Sequence, residues 1–309
     1  MSNQAHHHDH AGHSHGVSAG SDTRWLLVAL AINGLFMGAE VVVGLLADSL
    51  ALLSDAAHML TDTFAIGLAI VALRLARRPP FGAFTFGLKR SEILSAQING
   101  VVLLVLAGVI GIEAIGRIIA PPDVDGAFVL WTGVIGAGVN GAAASALARA
   151  NRDSLNVRGA WLHNLYDMLS SVAAAAAGLL IVATGWLEAD GLAALVVAGV
   201  MLIGGWGLVR DSGRVLLEGA PKGLDPQEIG NAMARVPGVV EVHDLHVWEV
   251  TSGFPALAAH LIVEPDADCH GLRQQTAALL HDRFDIEHTT LQVEHRIHAG
   301  LVDIEIPDP

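Results

Sequence analysis

The sequence predicts an α-helical membrane protein with six transmembrane helices, followed by a small α+β domain of ferredoxin-like type. Hydrophobic residues make up 52% of the 309-residue chain and charged residues only 16%, against roughly 25% charged residues in soluble domains. Six apolar segments precede residue 211, each about the 20 residues that a helix needs to cross a bilayer. We therefore divide the chain into a polar tail (1–22), a transmembrane domain (23–210) and a soluble domain (211–309).

The tail is rich in histidine and reads HHHDHAGHSHG from His6 to Gly16. These histidines follow no pattern of a folded element, which indicates a disordered segment with weak metal affinity. A purification remnant is the alternative, but the interruptions at Asp9, Ala11 and Gly12 favour a native metal-capturing tail. The opening residues also lack the apolar stretch of a cleavable signal peptide.

The predicted spans lie at 25–46, 51–73, 92–117, 127–149, 158–183 and 189–209. Breakers such as Pro79-Pro80 and Pro121-Pro122 mark the joints between them. Basic residues collect at alternate ends of the spans, whereas the opposite ends carry Arg117 alone. By the positive-inside rule, both termini are predicted to be cytoplasmic. The alanine run at 173–177, followed by Gly178, favours close helix packing in lipid.

Two ionisable pairs with the same spacing lie inside apolar segments: His58 and Asp62 in the second, His163 and Asp167 in the fifth. Residues four apart share one helix face, so each segment presents an imidazole and a carboxylate together. Two such helices supply the four ligands of a tetrahedral zinc-like ion. A lone buried histidine is more often a packing residue, but the repeated pattern and the cost of unpaired charge at membrane depth favour metal ligation. The sequence thus predicts a metal transporter.

The donor set indicates both the ion and its exchange partner. Two carboxylates and two neutral imidazoles balance a divalent cation, and mixed nitrogen and oxygen donors favour zinc, with cobalt and cadmium as competitors. Because histidine must lose its proton to bind metal, metal entry and proton release are linked. Asp55 either accepts the second N–H of the His58 ring and so orients it, or lies exposed to water at the entrance of the site. No organic cofactor is predicted, and the net charge of −14 argues against nucleic acid as a partner.

The soluble domain begins with Asp225-Pro-Gln-Glu228, in which a capping acid, a proline at the first helical position and a glutamate start a helix. Hydrophobic periodicity and β-branched runs then predict strands over 239–250 and 256–264, a helix over 272–284 and a strand over 288–296. The order α-β-β-α-β predicts a two-layer domain.

Four segments resemble the cation diffusion facilitator family: Ser49–Asp62, Phe84–Leu94, Asn156–His163 and Val242–Trp248. The resemblance covers nearly the whole chain except the tail. It implies a homodimer in the inner membrane, each protomer having six helices and a cytoplasmic metal-binding, dimerisation domain. Such a protein exports zinc or similar ions against protons by alternating access. Residue by residue, the resemblance places the transport site on His58, Asp62, His163 and Asp167.

The resemblance also implies functional residues outside the transport site. It places cytoplasmic metal ligands at His243, His260, His270 and His295. His295 continues the face of Leu291 and Val293 on its strand, which makes it a better candidate than His246, His281, His288 or His298. Ile297 stands where some relatives carry a ligating aspartate, which leaves full ligation of a second ion open, and Cys269 is either a substitute donor or an inert thiol. Arg90 and Glu218 match an interlocking charge pair between the membrane and soluble parts.

Two other classes of function stay open from the sequence. An intramembrane zinc metalloenzyme would need an open coordination position and a general base, and no HExxH motif occurs in the chain. A metal sensor would need only the soluble histidines, not six spans with ligands at their centre. Both explain the sequence less completely than transport does.

Overall fold

The computed structural model describes residues 19–46, 50–121, 125–150 and 153–296, with side chains from residue 23 onward except at 40, 43–58 and 61. Its first part consists of long helices: α1 (Ala19–Leu46), α2 (Leu50–Ala76), α3 (Ser91–Ile119), α4 (Gly126–Leu147), α5 (Leu155–Thr184) and α6 (Glu188–Leu216). Among the described residues, α3 to α6 are each long and apolar enough to cross a membrane, and α1 contains a shorter apolar stretch at Thr23–Ala39. The chain is an integral membrane protein.

The six helices pack around two apolar cores. α3 lies along α6 and α4 along α5, while α1 contacts both α2 and α4. One core joins α1, α2, α4 and α5 around Leu26, Ile66 and Leu147. The other joins α3, α5 and α6 around Leu103 and Met201. α5 belongs to both cores and is therefore the central helix of the bundle.

Small residues let α4 and α5 approach closely. A β-carbon on Gly178 of α5 would collide with the backbone nitrogen of Leu130 in α4, and a β-carbon on Gly133 would collide with the backbone of Ala175. Close backbone approach of this kind is how helices gain van der Waals contact in lipid. The structure thus agrees with the packing that the run at 173–178 predicts.

The second part has the predicted order: α7 (Pro226–Met233), β1 (Val239–Glu249), β2 (Pro255–Val263), α8 (Cys269–Phe284) and β3 (His288–His295). The Asp225 carboxylate accepts the N–H of Gln227 at 2.9 Å, and Pro226 follows at the first helical position. β1 pairs with β2 antiparallel and β2 with β3 parallel. Ile229, Leu257 and Leu280 lie in the core between helices and sheet. This is the expected small α+β domain.

The soluble domain contacts the membrane helices at the start of α5 and at the segment between α2 and α3. The backbone N–H of Leu155 donates to Oγ of Ser252, in the β1–β2 turn, at 3.1 Å. Nζ of Lys89 lies 5.1 Å from the centre of the Phe254 ring, within the range of a cation–π contact. The β1–β2 turn therefore touches two parts of the bundle.

Candidate metal centre

Asp62, His163 and Asp167 bring their ligand atoms together between α2 and α5. Nε2 of His163 lies 2.8 Å from Oδ1 of Asp62 and 3.6 Å from Oδ2 of Asp167. One ligand atom from each residue lies within 4.8 Å of the others. Asp62 and His163 are fully buried, and Asp167 is 5% exposed. Three of the four predicted transport ligands thus meet at one point.

The other two predicted residues of this site, His58 and Asp55, lie in α2. Their side chains fall outside the described part of the structure. On a regular helix, His58 stands one turn before Asp62 and shares its face. Its place as the fourth ligand, and the orienting role of Asp55, stay predictions.

A second contact between α2 and α5 holds the two helices in register. Nδ2 of Asn156 donates to the backbone oxygen of Ala69 at 2.9 Å, and Asn156 is fully buried. Asn156 precedes His163 by seven residues, and Ala69 follows Asp62 by seven. At about 1.5 Å rise per residue, this bond lies roughly 10 Å along both helices from the ligand cluster. α2 and α5 are therefore in contact at two places along their length, the ligand cluster and the Asn156–Ala69 bond.

A buried amide pair joins α1 to α5 beside the cluster. Nδ2 of Asn33 donates to Oδ1 of Asn164 at 2.9 Å, and Nδ2 of Asn164 donates to the backbone oxygen of Ala160 at 3.1 Å. Asn164 follows His163 directly, and both amides are fully buried. The sequence pattern did not predict this pairing. The available signal was a polar amide inside each of two apolar segments, since such groups need a partner in lipid.

The cluster is chemically suited to exchange cations of different kinds at the same atoms. Two carboxylates so close together in a buried site repel each other when both are ionised. A divalent cation relieves this repulsion by binding, and so do protons. Because imidazole nitrogen and carboxylate oxygen bind either a proton or a metal ion, the two kinds of cation compete for one place. This competition is the chemical basis of an exchanger.

A second potential ligand group lies in the soluble domain and consists of His243, Asp244 and His260. His243 and His260 are paired residues of β1 and β2, and their ring centres are 5.1 Å apart. Oδ2 of Asp244 lies 3.5 Å from Nδ1 of His243. A bulge between His243 and His246 puts Asp244 at a φ of 49°, which breaks the strict alternation of the strand. Alternation alone would place adjacent residues on opposite faces, so the sequence did not reveal Asp244.

The other two predicted cytoplasmic histidines have different partners. Nε2 of His295 lies 3.3 Å from Sγ of Cys269 and 3.1 Å from the backbone oxygen of Ala267. Nε2 of His270 lies 3.0 Å from Nε2 of Gln274. Among the residues that the structure describes, neither histidine belongs to the group around His243. Ile297 lies outside the described residues.

Arg90 and Glu218, the predicted charge pair, are in contact. Nη2 of Arg90 donates to Oε1 of Glu218 at 2.9 Å. Arg90 directly precedes α3, and Glu218 follows α6. The two side chains are 39% and 64% exposed. An ion pair so exposed contributes about 1 kcal/mol or less to stability, so it is suited to positioning rather than to holding the fold together.

Two family models together match almost all of the chain that the structure describes. Residues 26–217 match the cation efflux transmembrane domain. Residues 221–296 match the cytoplasmic domain of cation efflux proteins. The boundary between the two matches falls between α6 and α7, where the long helices give way to the α+β domain.

Relatives of similar length support the same assignment. The chain is 40% identical to the zinc transporter ZitB of Escherichia coli (strain K12), over 94% of this chain and 93% of that protein. It is 39% identical to the cation efflux system protein CzcD of Alcaligenes sp. (strain CT14), over 92% and 90%. It is 37% identical to a cadmium, cobalt and zinc/H(+)-K(+) antiporter of Bacillus subtilis (strain 168), over 93% of each.

Among solved structures, the metal-bound C-terminal domain of the CzcD transporter from Cupriavidus metallidurans is 33% identical, with a TM-score of 0.22. The match covers 23% of this chain and 99% of the solved domain. The two matched models and the relatives decide the classification. The chain belongs to the cation efflux family, also called the cation diffusion facilitators, a family of membrane transporters rather than enzymes.

Proposed function

We propose that this protein exports divalent metal cations from the cytoplasm in exchange for protons by alternating access, with zinc as the main substrate and cobalt and cadmium as further ones. The observation that carries the proposal is the buried convergence of Asp62, His163 and Asp167 between two helices of a cation efflux protein. The names of the relatives, a zinc transporter and a cadmium, cobalt and zinc antiporter, point to the same ions.

The transport site consists of these three residues and His58. The fourth ligand comes from the turn of α2 that precedes Asp62, so two residues from each of α2 and α5 surround the ion. Two carboxylates and two neutral imidazoles cancel the charge of a dication, which lowers the cost of holding it in a low-dielectric bundle. Asp55, three residues earlier on α2, orients the His58 ring.

Proton exchange uses the same atoms. A protonated imidazole gives up its proton when metal arrives, because only the neutral ring can bind the ion, and it regains a proton after the metal has left. Metal therefore enters from the cytoplasm as protons leave the site, and protons return from the other side.

The soluble domain is a cytoplasmic metal-binding and dimerisation domain. His243, Asp244 and His260 hold a regulatory ion, and His270 and His295, which lie outside this group, supply ligands elsewhere in the domain. The protein is a homodimer in the inner membrane with both termini in the cytoplasm, in keeping with the basic residues at alternate span ends. Its parts are the tail (1–22), the transport domain (23–210) and the cytoplasmic domain (211–309). Metal on the cytoplasmic domain favours a compact dimer and so activates export when internal metal is high.

Zinc flux in proteoliposomes tests the proposal. Purified protein is reconstituted, a pH gradient is imposed, and zinc uptake is followed with an internal fluorescent chelator. Asp62→Asn and Asp167→Asn should each abolish gradient-driven flux, because an amide cannot supply the negative charge that the ion requires. Asp282→Asn changes an exposed acid of α8 and should keep the flux of the unmodified protein.

Equilibrium zinc binding separates loss of the site from loss of the fold. The two inactive variants should keep the thermal unfolding midpoint within a few degrees and keep zinc bound to the cytoplasmic domain. Normal zinc flux in Asp62→Asn and Asp167→Asn would refute the transport site. Zinc binding without flux in the unmodified protein would favour a metal sensor instead.

A further inference from the structure

Asp211 is a buried carboxylate whose partners come from three different parts of the chain. It lies in the last two turns of α6, and its side chain is 4% exposed. Oδ2 lies 3.1 Å from Nη1 of Arg158, and Oδ1 lies 2.6 Å from Nζ of Lys222. Oδ1 also lies 3.3 Å from Nη2 of Arg210. A buried charge requires such partners, but it does not require them to come from different elements.

The two strongest partners connect parts of the molecule that are distant in sequence. Arg158 is in the first turns of α5, five residues before His163. Lys222 lies between α6 and α7, in the linker that leads into the cytoplasmic domain. Each partner takes a different oxygen of the carboxylate. Asp211 thus stands between the linker and the helix that carries half of the metal ligands.

Arg210 provides a natural comparison, because it precedes Asp211 on the same helix. It brings a positive charge to the same carboxylate oxygen as Lys222. It adds no connection between elements through this contact. Both cations compensate the charge of the same oxygen, Lys222 from 2.6 Å and Arg210 from 3.3 Å, but only Lys222 joins the linker to α6 through this contact.

The start of α5 is also held by the cytoplasmic domain directly, through the bond from Leu155 to Ser252. Arg158 and Leu155 are within one helical turn of each other, and His163 lies about 7 Å further along the same helix axis. A helix transmits a displacement of its first turn over such a distance because its backbone hydrogen bonds keep it stiff. Movement at this end of α5 therefore reaches the metal site.

We propose that Asp211 is a positioning residue that couples the cytoplasmic domain to the transport site: it transmits the position of the linker, through Lys222 on one oxygen and Arg158 on the other, to α5. The inference rests on the proposed transport function. Breaking either contact leaves the ligands of the site intact but frees α5 from the linker. The rate of the transport cycle should then change while zinc affinity at equilibrium does not.

A matched set of three variants tests the coupling, since Arg158→Gln, Lys222→Gln and Arg210→Gln each remove one positive charge from the same carboxylate. At saturating zinc, the first two should lower the maximal flux by about fivefold or more, the lower end of typical coupling between sites. Their zinc affinity should stay within about twofold of the unmodified protein. Arg210→Gln should keep its flux within about twofold, and Lys222→Arg should restore the flux that Lys222→Gln loses.

A mutant cycle asks whether Lys222 and Arg158 act through Asp211. If they do, the double variant Arg158→Gln/Lys222→Gln should be no slower than the slower single variant, because either change already interrupts the link from Lys222 to α5. Neither change should slow the Asp211→Asn variant further. Fold-changes that multiply in the double variant, or an Arg210→Gln variant as slow as Lys222→Gln, would overturn the proposal.

Hydrogen exchange separates this proposal from the proposed function, because it needs no transport. Backbone amides 155–163 should exchange faster in Lys222→Gln than in Arg210→Gln, because the contact between Lys222 and the Asp211 carboxylate continues to Arg158 of α5. Unchanged exchange in these amides would refute the coupling even if zinc flux is normal. Faster exchange together with no zinc flux in the unmodified protein would refute transport but not the coupling.

Discussion

Single side chains decide how close the proposed metal ligands come to one another. His163 contacts carboxylates from two helices, since Asp167 stands one turn later on α5 and Asp62 reaches it from α2. The i, i+4 spacing ensures only that His163 and Asp167 share a face. Contact with Asp62 depends on how α2 and α5 are held together, and one buried bond, from Asn156 to Ala69, contributes to that.

Asn156→Ala should loosen the α2–α5 pair. The variant loses a buried side-chain hydrogen bond, which costs about 1 kcal/mol, and the thermal unfolding midpoint in detergent should fall accordingly. Because the site ligands would then be less well positioned, zinc affinity should weaken as well. Asn156→Asp should be worse than Asn156→Ala, since a carboxylate facing the Ala69 oxygen adds repulsion. An aspartate variant more stable than the alanine variant would contradict this account.

At the scale of helices and strands, two features depend on local crowding that only the packed structure reveals. α4 and α5 approach so closely that Gly178 has no room for a β-carbon, whereas Gly138 on α4 has nothing within 4 Å of that position. In the cytoplasmic domain, β1 ends at Glu249, whose Oε1 accepts the N–H of Gly253 at 2.7 Å. Each feature predicts whether a substitution raises or lowers stability, which the sequence alone does not.

Alanine substitution should have opposite effects at the two glycines of the α4–α5 region. At Gly138, alanine should raise stability by up to about 1 kcal/mol, because it is the better helix former. At Gly178, overpacking against α4 should cost about 1–3 kcal/mol and outweigh that gain. Thermal unfolding in detergent measures both variants. Equal shifts of the same sign would show that the close approach at Gly178 is not rigid.

The Glu249 carboxyl should make stability depend on pH. Burial raises its pKa above the ordinary value, although the Gly253 N–H and the charge of Arg214 act in the opposite direction. A raised pKa in the folded state means that folding favours the protonated form, so this stability is present at low pH and lost as pH rises through the folded-state pKa. Glu249→Gln should therefore gain stability relative to the unmodified protein as pH rises from about 4 to 7.

Unfolding midpoints measured across that range check the prediction for Glu249. Glu241→Gln, at an exposed position of the same strand, is the control, because an exposed carboxyl loses little hydration on folding. A stability difference between Glu249→Gln and the unmodified protein that shrinks as pH rises would contradict the assigned direction of the pKa shift.

On the scale of the whole molecule, the described polar contacts that join the membrane and cytoplasmic parts include three with different exposures. Arg90 with Glu218 is exposed, Leu155 with Ser252 is partly buried, and Asp211 with Arg158 and Lys222 is buried on the carboxylate side. Exposed ion pairs contribute little to stability but still favour one relative position of the parts they join. Transport that depends on domain position should therefore respond to them more than stability does.

Charge reversal should show this separation between transport and stability at Arg90 and Glu218. Arg90→Glu and Glu218→Arg should each lower zinc flux, and the double variant should recover it, while all three keep nearly the same unfolding midpoint. Reversal of Arg283 and Glu228, an exposed pair within the cytoplasmic domain at 2.7 Å, is the matched control and should leave flux unchanged. Failure of the double variant to recover flux would count against a positional role for the Arg90 contact.

The sequence by itself determined the class of molecule and the order of its elements, and it predicted the residue types of the proposed metal site. These properties depend on local periodicity, such as 20-residue apolar runs, the Asp225-Pro226 helix start and the repeated His-plus-Asp spacing. Only the tertiary structure decided which groups meet. Asn33 with Asn164, Asn156 with Ala69 and Asp244 beside His243 depend on helix crossings and a strand bulge. Contacts of that kind join residues far apart in the chain or break the regular period, so no local pattern encodes them.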